Sequence, residues 1–328
     1  MTIHIVQAGE TIDSIAARYG VDPSRTASDN SVPPSGALAV GQTLVIRFPR
    51  QVHAVQPGET LTSIAANYGS TVRALWRNNW ALGGQSSLTA GQTLVISYFD
   101  ERIGTIASNG YAYPFIEAPL LAEQLPYLTF LSPFTYGITA SGDLLPLADD
   151  ALLSSARQRG TRPVMHLSTL TEAGQFDTRR GELVLTDAAV QNRLINEVIQ
   201  TVLQRGYAGV DVDFEYLPGP QAPDYAAFLS RLRRLLNAQG RFLWTALAPK
   251  TSATQRGLLY EGHDYAAVGA ASDGVLLMTY EWGYTYQPCC YNQKGSLDIT
   301  RDPFAFYTFP SSIASRYLIT AYCRRVTG

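Results

Sequence analysis

Residues 4–20 read HIVQAGETIDSIAARYG, and residues 53–69 read HAVQPGETLTSIAANYG. Gly9 recurs as Gly58 and Asn30 as Asn79, an offset of 49, while Gly41-Gln42-Thr43-Leu44-Val45-Ile46 recurs from Gly91 to Ile96 at an offset of 50. A fixed period means one supersecondary unit used twice. It takes the first 98 residues out of any single large fold and leaves the remainder of a 328-residue chain for something else. The local grammar of each copy is legible. A short strand (Ile3 to Val6, then Ala54 to Gln56) ends in a glycine turn. Thr11 and Thr60 stand where a helix N-cap would be. Ile12, Ile15, Ala16 and Tyr19 fall at i, i+3, i+4 and i+7, one helical face, which Leu61, Ile64, Ala65 and Tyr68 repeat. Gly20 and Gly69 stop that helix, and a closing strand follows the Gly-Gln-Thr-Leu turn. The prediction is two small βααβ domains, residues 1–49 and 52–98, joined by the short linker Phe48-Pro49-Arg50-Gln51.

In order, the Gly-Glu-Thr, Ser-Ile-Ala, Tyr-Gly, Asn and Gly-Gln-Thr-Leu elements of both copies resemble the LysM module. The resemblance implies binding of N-acetylglucosamine in peptidoglycan or chitin. The implied groove lies between the first strand–helix loop and the loop before the last strand. Here those loops are Gly58 to Thr62 with Ser87 to Gly91, and Gly9 to Asp13 with Ala37 to Gly41. Gly58, Glu59, Thr60, Leu61, Leu88 and Thr89, with Gly9, Glu10 and Thr11, are the implied sugar-binding residues. For any one of them, a plain role as turn or cap stands as the alternative. The first copy departs from the second: Thr26 replaces Leu75, and Pro33-Pro34 interrupts. Its second helix is therefore unsupported by the pattern, and the second copy is expected to bind better.

From residue 102 onward, short apolar runs alternate with helical patterns. Thr105 to Tyr113, Leu128 to Phe134, Arg162 to Leu167, Gly209 to Glu215, Phe242 to Ala248 and Gly274 to Tyr280 read as strands. Val190 to Leu203 and Tyr225 to Leu236 read as amphipathic helices. Alternating β and α elements argue a parallel sheet. Polar and aromatic residues gather at the C-terminal ends of the strands, where a (β/α)8 TIM-type barrel carries its chemistry.

The run Gly209-Val210-Asp211-Val212-Asp213-Phe214-Glu215-Tyr216 is the most informative. Strand side chains alternate, so Asp211, Asp213 and Glu215 share one face and Val210, Val212 and Phe214 the other. A solvated edge strand fits poorly, because its second face is wholly apolar. Carboxylates crowded on one buried face repel one another and are costly to desolvate. Such crowding keeps an acid protonated near neutral pH, ready to donate to a leaving group. Lying on one strand, the three do not form the flanking pair of most glycosidases. They suit a reaction in which the substrate supplies its own nucleophile.

That run resembles the D-x-D-x-E signature of family 18 glycoside hydrolases. Asn109-Gly110-Tyr111-Ala112-Tyr113, Ser132-Pro133-Phe134-Thr135-Tyr136-Gly137, Thr245-Ala246-Leu247-Ala248-Pro249-Lys250 and Met278-Thr279-Tyr280-Glu281-Trp282 agree with it in order. With two leading LysM-like copies, residues 1 to about 286 resemble the N-acetylglucosaminidases that cut spore-cortex fragments. The resemblance implies that Glu215 protonates the glycosidic oxygen and that the substrate's acetamido oxygen attacks the anomeric carbon. It implies that Asp213 orients the acetamido group, Asp211 shares a proton with Asp213, and Tyr280 bonds the acetamido oxygen. Ala208 stands where many members have a further Asp, and Glu281 where chitinases usually have Asp. Tyr111, Tyr113, Phe134, Met278, Glu281 and Trp282 are candidate substrate contacts. Tyr136, Tyr284 and Tyr286 are further aromatics at the strand ends. Sugar stacking and core packing remain alternatives for each aromatic. His166 reads as a polar residue of the barrel interior rather than a catalyst.

Composition closes other classes. A net charge of −2 with no basic run argues against a nucleic-acid partner. No apolar run is long enough to span a bilayer. Met1 to Val6 shows no secretory signal pattern. The three cysteines, Cys289, Cys290 and Cys323, form neither a disulfide framework nor a metal site, so no cofactor or metal is expected. The expected partners are glycan strands of peptidoglycan or chitin, the expected state a monomer, and the expected place the wall or the spore coat or cortex. Arg316 to Tyr322 offers a seventh strand and no eighth is visible, so the barrel is expected to be incomplete, with six or seven strands. Residues 287–328 form an atypical tail. The expectation drawn from it is a truncated or frame-altered chain whose tail packs poorly and whose activity is weak or absent. Two functions follow: an active hydrolase of N-acetylglucosamine linkages, or a wall-binding protein with an inactive barrel.

Overall fold

The computed structural model describes residues 1–30, 32–33, 37–99, 107–250, 252 and 254–278, and the backbone of 318–324. The chain divides into two compact units, residues 1–106 with 122–127, and residues 107–121 with 128–328.

In the first unit each repeat is a two-stranded antiparallel sheet covered by two helices. The first comprises β1 (Thr2–Ile5), α1 (Ile12–Tyr19), α2 (Pro23–Asp29) and β2 (Thr43–Ile46), the second β3 (Pro49–Ala54), α3 (Leu61–Asn67), α4 (Val72–Asn78) and β4 (Thr93–Tyr98). Both first helices open with a reciprocal capping box. Ser14 N–H donates to Thr11 Oγ1 at 3.2 Å and Thr11 N–H to Ser14 Oγ at 2.9 Å; the Thr60–Ser63 bonds are 3.1 and 3.0 Å. Such a cap is worth about 1 kcal/mol. Each repeat keeps its own core, around Ile12, Ile15, Leu44 and Ile46 in one and Leu61, Ile64, Leu75 and Leu94 in the other.

The repeated asparagines have a shared task. Val95 N–H donates to Asn79 Oδ1 at 2.8 Å, and Asn79 Nδ2 donates back to Val95 O at 2.8 Å and to Leu75 O at 2.8 Å. Asn30 does the same with Val45 and Thr26. One amide side chain thus satisfies both polar groups of a strand residue and a helix-end carbonyl. Two expectations need correction here. The second helix of the first repeat does form: Asp22 caps it by accepting from Arg25 N–H at 2.6 Å. Thr26 takes the buried leucine position because its hydroxyl donates to Asp22 O at 2.8 Å, leaving no orphaned polar atom. Pro49 to Gln51, read as linker, belong to β3 and pair with β4.

The second unit is built on β5 (Ser108–Ala112), β6 (Phe130–Pro133), β7 (Arg162–Pro163), β8 (Met165–Ser168), β9 (Gly209–Asp213), β10 (Phe242–Leu247), β11 (Gly274–Leu277) and β12 (Leu318–Arg324). Its helices are α5 (Ala118–Gln124), α6 (Asp150–Gln158), α7 (Thr178–Thr186), α8 (Ala188–Arg205), α9 (Ala222–Asn237), α10 (Leu258–Glu261) and α11 (Tyr265–Ala271). Residues 122–124 of α5 group with the first unit. The strand order is β7-β6-β5-β12-β11-β10-β9-β8. Its two ends are halves of one stretch, parted only by Val164, whose N–H donates to Leu131 O at 2.9 Å. Counted once, that stretch leaves six parallel staves and β12 among the described residues. The seventh strand begins two residues later than expected and runs antiparallel to both β5 and β11. The rest of the tail, with Cys289 and Cys290, lies outside the described residues, as does the side chain of Cys323.

The site strand β9 is fixed from behind. Val210, Val212 and Phe214 are wholly buried in one cluster with Val198 and Val202 of α8 and Phe228 and Leu229 of α9. Each buried aliphatic or aromatic side chain contributes about 1.5–3 kcal/mol. At the strand's start, a Cβ on Gly209 would meet the Phe242 ring at 2.4 Å, so only glycine allows β10 this close.

Candidate active site

With its apolar face committed to the helices, β9 turns Asp211 and Asp213 inward, 0% and 4% exposed. Glu215 follows past the strand end and is half-buried. Tyr216, next in sequence, has φ +57° and is a non-glycine residue in left-handed backbone. The chain therefore leaves the strand direction just after Glu215, at the strands' C-terminal end.

Two other strands supply partners, β8 beside β9 and β5 further round the sheet. Tyr111 of β5 donates its hydroxyl to Asp211 Oδ2. His166 of β8 places Nε2 at 3.5 Å from Asp213 Oδ2 and Nδ1 at 2.6 Å from Thr135 Oγ1. Burial pushes the Asp211 carboxyl above its ordinary range, and the negative Asp213 adds to the push; His166 and the Tyr111 hydroxyl bond oppose it. The second oxygens, Asp211 Oδ1 and Asp213 Oδ1, are buried with no hydrogen-bond partner among the described residues. An unmatched buried acceptor costs about 1–3 kcal/mol, and orphans of this kind are retained where a site exists for chemistry.

Aromatic and apolar side chains form the surround. Tyr111 and Met278 are buried together with Ala246, Ala248 and Leu276. Phe134 stacks on His166 (4.8 Å between centroids, 26°), and Tyr113 meets Phe134 edge-on at 5.1 Å. Tyr113 also stacks on Phe115 (4.9 Å, 14°), whose side chain is 71% exposed. Tyr136 belongs to the core: it is buried, and its hydroxyl donates to Asp149 at 3.0 Å. Tyr280, Glu281 and Trp282, with Tyr284 and Tyr286, lie outside the described residues.

The structure thus brings together Asp211, Asp213, Tyr111, Phe134 and Met278. Sequence reasoning missed Thr135, Ser168, Phe115 and the contact made by His166. The signal for one pair was present: in Met165-His166-Leu167-Ser168, polar residues alternate with apolar ones, as in β9. Beneath the site, buried His263 sets Nε2 at 2.8 Å from Phe214 O, in the residue before Glu215.

In the repeats, Glu10 and Glu59 turn toward their own domains. Glu59 Oε2 accepts from Gln56 N–H at 2.8 Å and lies 2.6 Å from His53 Nε2; Glu10 Oε2 does so with Gln7 (2.8 Å) and His4 (2.7 Å). Thr11 and Thr60 are engaged as caps.

Comparison with known proteins agrees with this layout. Residues 4–47 and 53–97 match the LysM domain, and residues 174–291 match Glycosyl hydrolases family 18. The chain is 36% identical over 296 residues to the cortical fragment-lytic enzyme of Bacillus subtilis (strain 168), covering 88% of this chain and 67% of the relative. It is 32% identical to the enzyme of the same description from Bacillus anthracis, covering 86% and 66%. The crystal structure of the Bacillus cereus spore cortex-lytic enzyme SleL superposes with a TM-score of 0.66 at 31% identity, covering 86% of this chain and 66% of that one. The chain spans about two thirds of the length of these relatives.

Proposed function

Since the chain belongs to glycosyl hydrolase family 18 and carries two LysM domains, we propose that it binds peptidoglycan of the spore cortex or cell wall and hydrolyses β-1,4 bonds of its N-acetylglucosamine units. The observation that carries this reading is the inward face of β9, with two buried carboxyls and Glu215 at its open end.

In the proposed reaction Glu215 gives its proton to the glycosidic oxygen as that bond to the anomeric carbon breaks. The acetamido oxygen of the same sugar forms a bond to the anomeric carbon, giving a cyclic oxazolinium ion. Water then attacks that carbon from the vacated side, loses a proton to Glu215 and reopens the ring with net retention. Asp213 is the group for the acetamido N–H and the positive charge beside it. Asp211, with its raised carboxyl pKa, suits the partner that takes up a proton. Tyr111 holds Asp211. Tyr280 is assigned to the acetamido oxygen by likeness alone.

The LysM pair is assigned the wall affinity, with the loops at Gly58 to Leu61 and Leu88 to Thr89, and at Gly9 to Thr11, as its grooves. Two linked sites bind a polymer more tightly than either alone. The test of the reading is turnover: the purified chain, incubated with cortical fragments, should release reducing ends in the β configuration. Wall binding without any release would assign the chain to the wall-binding reading.

A further inference from the structure

We propose that His166 is a positioning residue held as an imidazolium, which pairs with the Asp213 carboxyl group and keeps it aimed across the barrel interior. This rests on the hydrolase reading above and adds a regulated charge to the same site.

The geometry leaves the ring little freedom. It is 2% exposed, stacked on Phe134 and met edge-on by Tyr111 at 5.2 Å and 83°. Strand register sets His166 opposite Asp211 and Ser168 opposite Asp213. Both ring nitrogens therefore have fixed neighbours: Asp213 Oδ2 at 3.5 Å from Nε2, and Thr135 Oγ1 at 2.6 Å from Nδ1.

The Thr135 hydroxyl suits a charged ring. It lies 3.3 Å from Tyr136 O, 3.3 Å from His166 O and 3.1 Å from Ser168 Oγ. It can give its proton to any of these and accept the Nδ1 proton with a lone pair. When the ring is neutral, the hydroxyl turns and donates to Nδ1 instead. The site thus gains or loses one proton without stranding a buried polar atom.

Charge settles which state is at rest. Burial disfavours the imidazolium, but the contact with Asp213 and the acidic groups that follow one another along the neighbouring β9 run, Asp213 foremost, outweigh it, so the His166 pKa lies above its ordinary value. The remaining polar groups against the ring are the Tyr111 hydroxyl of β5 and the Thr135 hydroxyl after β6. Asp213 Oδ1, with no hydrogen-bond partner among the described residues, is then the other end of a carboxyl group whose Oδ2 is tethered.

The test reads the ring directly. Imidazole nitrogens of the full chain are followed by NMR across pH, in wild type, Asp213→Asn and Thr135→Val. His166 is expected to stay protonated above the ordinary histidine pKa of about 6.5, and Asp213→Asn should shift its titration to lower pH. His166→Asn, which keeps a donor but no charge, should lower kcat by ~10- to 100-fold with little change in KM. A ring neutral below the ordinary value, or a titration unmoved by Asp213→Asn, overturns the proposal, even if His166→Asn fails to fold. An inactive wild type with the titration as expected would sink the hydrolase reading alone, and turnover with a neutral ring would sink this proposal alone.

Discussion

The two units treat their polar residues in opposite ways. In the repeats, most polar side chains are consumed by the fold itself: buried Asn79 closes a strand, half-buried Glu59 holds a turn and exposed Thr60 caps a helix, while Trp80 Nε1 is buried with no hydrogen-bond partner among the described residues. In the barrel, Asp211 and Asp213 are deeply buried and each keeps an oxygen unmatched among the described residues. A small domain has little core with which to offset a buried, unmatched carboxylate oxygen. A barrel with a large cluster behind β9 can hold such oxygens. The difference teaches where to look for each function. On the proposed function, covalent chemistry falls to groups that the fold leaves unsatisfied, and sugar adhesion to backbone and shape presented by turns that are already stable.

Four measurements would break or sharpen that contrast. The largest effect is expected for Glu215→Gln. Turnover should fall by ~100-fold or more, because the donor proton is lost while the side chain's shape is kept; thermal stability and retention on insoluble peptidoglycan should stay at wild-type level. Substantial residual activity would remove Glu215 from its role.

Next comes Asn79→Ala. It strands Val95 N–H, Val95 O and Leu75 O, and should destabilise the second repeat by about 3 kcal/mol in chemical denaturation. Asn30→Ala should cost less, since Asn79 is 3% exposed and Asn30 is half-buried. Equal losses would mean that burial does not set the value of this bond. A smaller loss, about 1 kcal/mol, is expected for Thr60→Ala, with wall binding unchanged if the threonine acts only as a cap. A drop in pull-down by residues 1–98 that exceeds the loss of folded protein would restore Thr60 as a sugar contact.

The smallest effect is on pH. The Gln7 and Gln56 backbone bonds, followed by His4 and His53, hold the Glu10 and Glu59 carboxyls below their ordinary value of 4.5. A depressed carboxyl stabilises the fold fully above 4.5 and loses that contribution as pH falls through its folded value. Circular dichroism of the 1–98 fragment should show a modest acid transition there, which Glu59→Gln halves. A flat profile would make these contacts incidental.

Much of this was legible in the sequence, and the failures are instructive. The repeat, the six parallel strands and the inward acidic face of β9 follow from period and alternation, which chain geometry imposes locally. The second helix of the first repeat did not, because Thr26 satisfies a leucine's position through one hydroxyl bond that no pattern shows. Strand composition announced β12 near Arg316 to Tyr322 but not its direction, which is a property of pairing. His166 read as a polar residue of the interior, as its burial shows, but its partners did not, because they come from β9 and from Thr135, 47 and 31 residues away in sequence.

The asparagine that closes each repeat has a consequence for how these chains meet one another. A two-stranded sheet has outer edges, and an open edge invites a foreign strand to add to it. On β4 the outward N–H and C=O of Val95 are already taken by one side chain, and on β2 those of Val45 are. A second chain that tried to extend either sheet along that edge would find its central hydrogen bonds occupied. Many copies crowded along one glycan strand could therefore lie side by side without their sheets fusing.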